Sequence, residues 1–294
     1  MDGFVDLHIH SDHSSDGDFS PPQLIAFARE AGFAAISIAD HDTASAYPGA
    51  IEAADGSGVE VVPNMEVTTL YEGREFHVLL PFLDWASPVV TRIADSVTRG
   101  RFVEARERVR RLGELGYDIT WEEVEVGARG MAPLGVTIAA IFLAKASSKA
   151  DRRLRKYYDS SGFVKYPSQF YRDFFMEGKP AAAPKRHIDL LEVLALAPAA
   201  GAVSVLSHPG AYFQNTTRDD LVRLKDRGLS GVEVFTPYHT DEHRSYYASA
   251  ARELDLVATA GSDFHGAVKP HVAFGSVRDG GLEMLEALRK RRPS

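Results

Sequence analysis

The sequence predicts an α/β protein with a helical stretch set into it. Short apolar or alternating runs recur through residues 4–80 and again through 202–260, with helix-like segments between them. From about Pro88 to Arg186 the texture changes to amphipathic segments at helical spacing. Most of the predicted strands end in histidine, aspartate or glutamate. Strands alternating with helices imply a parallel sheet, either closed into a barrel or open and doubly wound.

The elements follow in order. Residues 4–10, if extended, place Asp6, His8 and His10 on one face and Val5, Leu7 and Ile9 on the other. Two imidazoles on one strand face can chelate a single ion. The alternative is an ordinary half-buried strand whose histidines bond to backbone or water. Ser20-Pro21-Pro22 opens a helix that Gly32 stops. Residues 34–39 read as a buried strand, 43–58 as a helix, and 59–63 as a strand ending at Asn64-Met65-Glu66. Residues 75–80 form a further strand, reached by a hairpin turn about Glu72-Gly73.

Inside the insertion, residues 89–115, 121–126, 136–146 and 152–158 read as helices. Residues 167–176 form a short segment whose aromatic side chains are expected to pack a small core. The βα pattern resumes with a helix over 187–200 and a strand over 202–206 that leads into Ser207-His208-Pro209-Gly210. A helix over 218–228, a strand over 231–235 and a helix over 241–254 come next. The last strand, 256–260, leads into Gly261-Ser262-Asp263-Phe264-His265. The expected division is one domain of residues 1–87 and 187–294, with a helical insertion over 88–186.

Composition narrows the chemistry. The chain has 294 residues, 45% hydrophobic and 25% charged, enough for one barrel-sized domain with an insertion. A net charge of -8 offers no overall attraction to nucleic-acid phosphates and argues against duplex nucleic acid as partner. With no cysteine, disulfides and thiolate zinc sites are excluded, so any metal must sit on nitrogen and oxygen. No basic leader precedes an apolar run, and no stretch reaches the roughly 18 apolar residues of a spanning helix. A soluble, cytoplasmic protein without membrane contact is expected.

His8 and His10 with Asp16, Asp40-His41-Asp42, Glu66, His208, and Asp263 with His265 all follow or end predicted strands, and His77 lies within another. In α/β barrels the strand ends converge on one face, where active sites are built. Repetition of imidazole and carboxylate at that place points to a polynuclear metal site.

These motifs give the chain a family likeness. Asp6-Leu7-His8-Ile9-His10-Ser11 with Ser15-Asp16-Gly17, Ala39-Asp40-His41-Asp42, Met65-Glu66-Val67, Phe76-His77-Val78, Ser207-His208-Pro209-Gly210 and Gly261-Ser262-Asp263-Phe264-His265 together resemble the PHP (polymerase and histidinol phosphatase) domain. The resemblance implies a distorted (β/α)7 barrel, TIM-like, holding two or three divalent ions of Zn, Mn or Fe at its strand ends. It implies one ion on His8, His10, Glu66 and Asp263, a second sharing Glu66 and adding His77 and His208, and a third on Asp16, His41 and His265. His13 lies near Asp16 and competes for that role. Asp6, Asp40 and Asp42 are candidates for orienting the imidazoles, or are simple turn residues.

Many stand-alone phosphoesterases of that family carry an Arg-x-His pair on the first part of the insertion, to hold the substrate phosphate. The corresponding stretch here, Pro133-Leu134-Gly135-Val136-Thr137-Ile138-Ala139, has neither residue. Arg129, Lys179, Lys185, Arg186 and His187 are the candidate replacements, since guanidinium and ammonium groups both bind phosphate oxygens. The expected function is hydrolysis of a small phosphomonoester, with nucleotides among the candidate substrates, by a metal-activated hydroxide with Glu66, His208 and Asp263 at the reacting centre. Alternatives are a phosphodiesterase or exonuclease acting on oligonucleotides, and a metal-binding regulatory module that has lost catalysis.

Overall fold

In a computed structural model, which describes residues 3–165 and 167–293, the chain divides into two units. The first comprises the stretch ending at His13, Gly17–Val97, and the stretch beginning at His187; the second comprises Ser14–Asp16 and Thr98–Arg186.

The first unit starts with β1 (Phe4–Ile9), α1 (Pro21–Ala31), β2 (Phe33–Ile38), α2 (Tyr47–Ala54) and β3 (Glu60–Val61). The Ser20 amide donates to Gln23 Oε1 at 2.9 Å at the start of α1, and Gly32 takes the left-handed conformation that ends it. β1, β2 and β3 pair in parallel. β4 (Glu66–Tyr71) and β5 (Arg74–Leu79) follow as an antiparallel hairpin. Its turn residues Glu72 and Gly73 have φ of 50° and 77°, the positive pair that matches the strands' right-handed twist.

α3 (Pro88–Glu114) begins in this unit, where Val90, Ile93 and Val97 join Met65, Phe76 and Leu190 in a buried cluster. The second unit continues α3 and adds α4 (Trp121–Gly127), α5 (Gly135–Ala144), α6 (Ala146–Ala150), a 3-10 turn over Arg152–Tyr157, and α7 (Pro167–Phe174). Its core is built from Leu112, Phe142, Tyr157, Phe170 and Phe175, with the Phe170 and Phe174 rings stacked at 4.3 Å. The aromatic segment packs, as its sequence suggests.

The first unit resumes with β6 (Ile188–Asp189), α8 (Leu190–Leu196), β7 (Val205–Leu206), α9 (Arg218–Lys225), β8 (Gly231–Phe235), α10 (Asp241–Glu253), β9 (Val257–Ala260) and α11 (Leu282–Arg289). The helix expected over 187–200 is shorter, because Asp189 caps its start and Pro198 turns its end into a 3-10 turn. β7, β8 and β9 pair in parallel, but β5 is antiparallel to both β4 and β7. The sheet is therefore mixed rather than parallel throughout: the hairpin expected about Glu72-Gly73 reverses the chain once, and β5 enters the sheet pointing the other way.

Backbone bonds join the two sheets at both margins. On one side the Asp263 amide donates to the His8 carbonyl at 2.7 Å and the His10 amide to Phe264 at 2.9 Å. On the other, the Glu66 amide donates to Asp40 at 3.2 Å and the Asp42 amide to Glu66 at 2.9 Å. Going round, β1, β2, the extended run from β3 into β4, β5, β7, β8 and β9 make a distorted barrel. Val5 and Leu7 face outward against Leu285 and Leu288 of α11, which leaves His8 and His10 to face in.

Candidate metal centre

Alternation along β1 carries His8 and His10 into the barrel, and both are fully buried. Glu66 stands where the chain, after running beside β2, turns into the hairpin. His208 and Asp263 follow β7 and β9, and both have positive φ, 25° and 53°. That conformation is uncommon for residues with a side chain and is concentrated at functional sites, where surrounding structure enforces it.

Four ligand atoms meet at the centre. His8 Nε2 lies 3.1 Å from His10 Nε2, 3.3 Å from Glu66 Oε2 and 3.4 Å from Asp263 Oδ1. His10 Nε2 lies 3.5 Å from Glu66 Oε2 and 3.0 Å from Asp263 Oδ1. Four bonds of about 2.1 Å meeting at tetrahedral angles place their ligand atoms about 3.4 Å apart, so this tetrad matches the separation a bound cation requires. Glu66 Oε2 and Asp263 Oδ1 are buried and make no well-formed hydrogen bond. One proton could satisfy the two imidazoles; a cation satisfies all four atoms.

Glu66 faces different imidazoles with its two oxygens. Oε1 meets His208 Nε2 at 2.9 Å, His77 Nδ1 at 3.1 Å and the Ser207 hydroxyl at 2.7 Å. Oε2, besides the tetrad, meets His41 Nδ1 at 3.1 Å. His41, Glu66 and His77 thus form a second possible metal group. His265 stacks on His10 with ring centroids 3.9 Å apart, and His41 lies 4.6 Å from His10.

The cavity favours positive charge. Burial alone would depress the His8 imidazole, yet Glu66, Glu233 and Asp263 carry it well above its ordinary value. Burial likewise opposes charge on His77, but Glu66 and Glu75 push it up to about 9. Glu66 and Asp263 are held well below the carboxylate range despite burial, the first by His8, His77 and His41, the second by Lys269 and His8. His10 goes the other way, to about 4, because burial and the neighbouring His265 disfavour its cation.

The structure thus brings together His8, His10, His41, Glu66, His77, His208, Asp263 and His265. His187 sits nearby, its Nε2 3.7 Å from Glu75, which also meets His77 Nε2 at 3.3 Å. Asp16 belongs to the second unit, where it is buried and accepts the Ser14 hydroxyl at 3.0 Å. Arg129, Lys179, Lys185 and Arg186 are also in that unit, and Arg129 donates to the Ser14 carbonyl at 2.9 Å. His13 bonds the Ser45 hydroxyl at 2.8 Å. His239 is neutral architecture: Nδ1 donates to the Val234 carbonyl at 2.8 Å, and Nε2 accepts the Gly210 amide at 2.9 Å.

Asp6, Asp40 and Asp42 are bound to backbone amides and a hydroxyl. Asp6 accepts the His8 and Ser262 amides, Asp40 the Ser11 amide and hydroxyl, and Asp42 the Thr68 amide. Glu233 on β8, like Glu75 behind His77, is a carboxylate behind an imidazole: Oε1 takes His8 Nδ1 at 3.1 Å and Oε2 takes the His208 amide at 2.8 Å. Sequence reasoning missed it, although an acid inside Gly231-Val232-Glu233-Val234-Phe235 with Val232 and Val234 in the core is a signal that its side chain points into the barrel. Because it fixes the His8 tautomer, Glu233→Gln is expected to weaken metal binding by about 10–100-fold, as removal of such partners does. Metal titration of the apoprotein checks this.

The comparisons agree with this geometry. A family model described as "PHP domain" matches residues 6–158. A 5'-3' exoribonuclease of Haemophilus influenzae is 29% identical over 88% of this chain and 89% of its own. A phosphoribosyl 1,2-cyclic phosphate 1,2-diphosphodiesterase of Eggerthella lenta is 28% identical over 92% and 97%. A 3',5'-nucleoside bisphosphate phosphatase of Chromobacterium violaceum is 26% identical over 89% and 87%. Among solved structures, a protein of Bifidobacterium adolescentis superposes with a TM-score of 0.85 at 24% identity, covering 99% of this chain and 97% of that one. An amidohydrolase of Chromobacterium violaceum, solved with sulfate and no metal, gives 0.79 at 25% identity, covering 99% of each. With the motifs, the inward-facing ligands and the matched half of the sequence all in accord, the chain belongs to the PHP domain family.

Proposed function

We propose that this metal-dependent phosphoesterase hydrolyses a small phosphomonoester, with nucleotides the leading substrate class, in the cytoplasm. The observation that carries the reading is the tetrad of His8 Nε2, His10 Nε2, Glu66 Oε2 and Asp263 Oδ1, spaced for a cation and carrying two buried carboxylate oxygens that lack a well-formed hydrogen bond. In the proposed ligand set, His8, His10, Glu66 and Asp263 hold one ion, Glu66 with His77 and His208 a second, and Asp16, His41 and His265 a third. Zn, Mn and Fe all suit these nitrogen and oxygen donors. Bound there, such ions polarise phosphoryl oxygens, bring the pKa of water towards neutrality and stabilise the entering and leaving oxygens.

The chain's own groups prepare that chemistry. Glu233 holds His8 in one tautomer, Ser207 and the imidazoles fix Glu66, and the buried walls keep bulk water from the ligands. Glu66, His208 and Asp263 are proposed to flank the reacting phosphoryl group. Arg129, Lys179, Lys185, Arg186 and His187 remain candidates for outer substrate contacts, and residues 88–186 are proposed as an inserted helical domain.

A second reading, diester cleavage, is favoured by the Haemophilus and Eggerthella relatives, whose names describe diester substrates. The test is hydrolysis of p-nitrophenyl phosphate, its bis ester and a short oligonucleotide after reconstitution with Mn²⁺, Zn²⁺ or Fe²⁺. Faster turnover of the monoester is expected. Preference for the bis ester or oligonucleotide moves the assignment to a diesterase, and no hydrolysis with any ion ends the hydrolase reading.

A further inference from the structure

We propose that Lys269, backed by Tyr238, is the contact for the substrate's phosphoryl oxygens, in place of the arginine and histidine missing from the insertion. This deepens the phosphoesterase reading and rests on it. Lys269 lies in the loop between β9 and α11, yet its Nζ reaches inward to Asp263 Oδ2 and to the Tyr238 hydroxyl at 2.8 Å. Asp263 supplies its other oxygen to the metal tetrad, and the Tyr238 ring lies 5.0 Å from that of His208. The ammonium therefore stands beside Asp263, and its partner Tyr238 packs near His208, two of the groups proposed to flank the phosphoryl group.

The loop is shaped to deliver it. The Lys269 amide donates to Gly266 at 3.1 Å and its carbonyl accepts from Val272 at 2.9 Å, two consecutive turns that fix the backbone. The side chain is 18% exposed against 1% for Asp263, so the lysine bridges solvent and the buried centre. An ammonium has three donors, and the Asp263 and Tyr238 contacts use two of them.

Charge balance distinguishes a ligand contact from a mere partner for Asp263. When a divalent ion takes Asp263 and Glu66, it competes with Lys269 for the Asp263 charge, so the ammonium's hold on that carboxylate weakens. A phosphate anion is then a stronger partner for the ammonium than the metal-bound carboxylate is.

The test is calorimetric binding of inorganic phosphate to the metal-loaded protein, with metal content and melting temperature measured alongside. Lys269→Met is expected to weaken phosphate at least tenfold and to raise KM for p-nitrophenyl phosphate, with bound metal unchanged; Lys269→Arg should restore part of the affinity. Tyr238→Phe leaves the Lys269–Asp263 pair in place and should weaken phosphate a few-fold. Wild-type phosphate affinity in Lys269→Met overturns the proposal, as does a loss of metal rather than of phosphate, which would make Lys269 a counter-ion alone. If Lys269→Met does not fold, wild-type affinity in Tyr238→Phe overturns it. Wild-type protein that binds no phosphate overturns it as well. Wild-type protein that binds phosphate through Lys269 but hydrolyses no ester instead tells against the hydrolase reading, so the two failures are distinguishable.

Discussion

Glu66→Gln is expected to lower kcat/KM by on the order of 10³-fold and to reduce bound metal, while leaving a folded protein. The size follows from what the carboxylate does: metal-centred charge stabilisation is worth several kcal/mol, and each 1.36 kcal/mol is about tenfold in rate. Glu66 addresses His8, His10 and His41 with one oxygen and His77 and His208 with the other. The amide keeps the shape but offers one neutral acceptor and adds donors that face imidazole nitrogens. Metal analysis by atomic emission, set beside steady-state rates across added Mn²⁺, measures both effects. Full metal content with wild-type turnover would remove Glu66 from the centre.

Gly261→Ala is expected to destabilise the fold by about 2–3 kcal/mol, the range of overpacked cores, and to weaken metal binding as well. A Cβ at this position would lie 2.1 Å from Glu233 Oε1 and 2.4 Å from the His8 Cβ. Both neighbours are fully buried, so neither can step aside without dragging the His8 imidazole from the tetrad. Gly49→Ala is the control of opposite sign. It lies on the exposed side of α2, its Cβ would meet nothing within 4 Å, and alanine there should stabilise by about 0.5–1 kcal/mol. Urea unfolding of the two variants, run without metal, separates packing from ligand effects.

Much of this was legible in the residues. The period of two over 4–10 places both histidines inward, and Gly32, Pro21 and Pro22 punctuate α1 as their stereochemistry requires. Strand ends bearing imidazole and carboxylate converge because the sheet curls into a barrel, which pattern alone left open against a flat sheet. What the residues did not disclose is where chain direction and long-range contact decide. The strand Glu66–Tyr71 is not assigned from sequence beyond Glu66, because its Thr68 and Thr69 interrupt the apolar pattern; both are buried when the hairpin forms. β5 is reversed by a turn the sequence does show, but the reversal matters only once β7 is known to pair with it.

The missed participants share a physical cause. Glu233 sits between valines in a strand whose neighbours could equally have turned it to solvent. Lys269 lies in a loop of ordinary polarity, six residues past Asp263, and only the folded backbone aims it inward. Asp6, Asp40 and Asp42, by contrast, drew notice for standing beside histidines. They bind backbone amides, and Asp40 the Ser11 hydroxyl as well, because strand ends meeting at a barrel mouth leave donors that short carboxylates satisfy.

Because one carboxylate turns an oxygen to each neighbouring set of imidazoles, the loading of adjacent positions is thermodynamically linked. Glu66 is already set by Ser207 and the imidazoles, so an ion entering at either oxygen meets a buried carboxylate in place. A change at Glu66 is therefore expected to disturb both sets of imidazoles together, and any ions they hold.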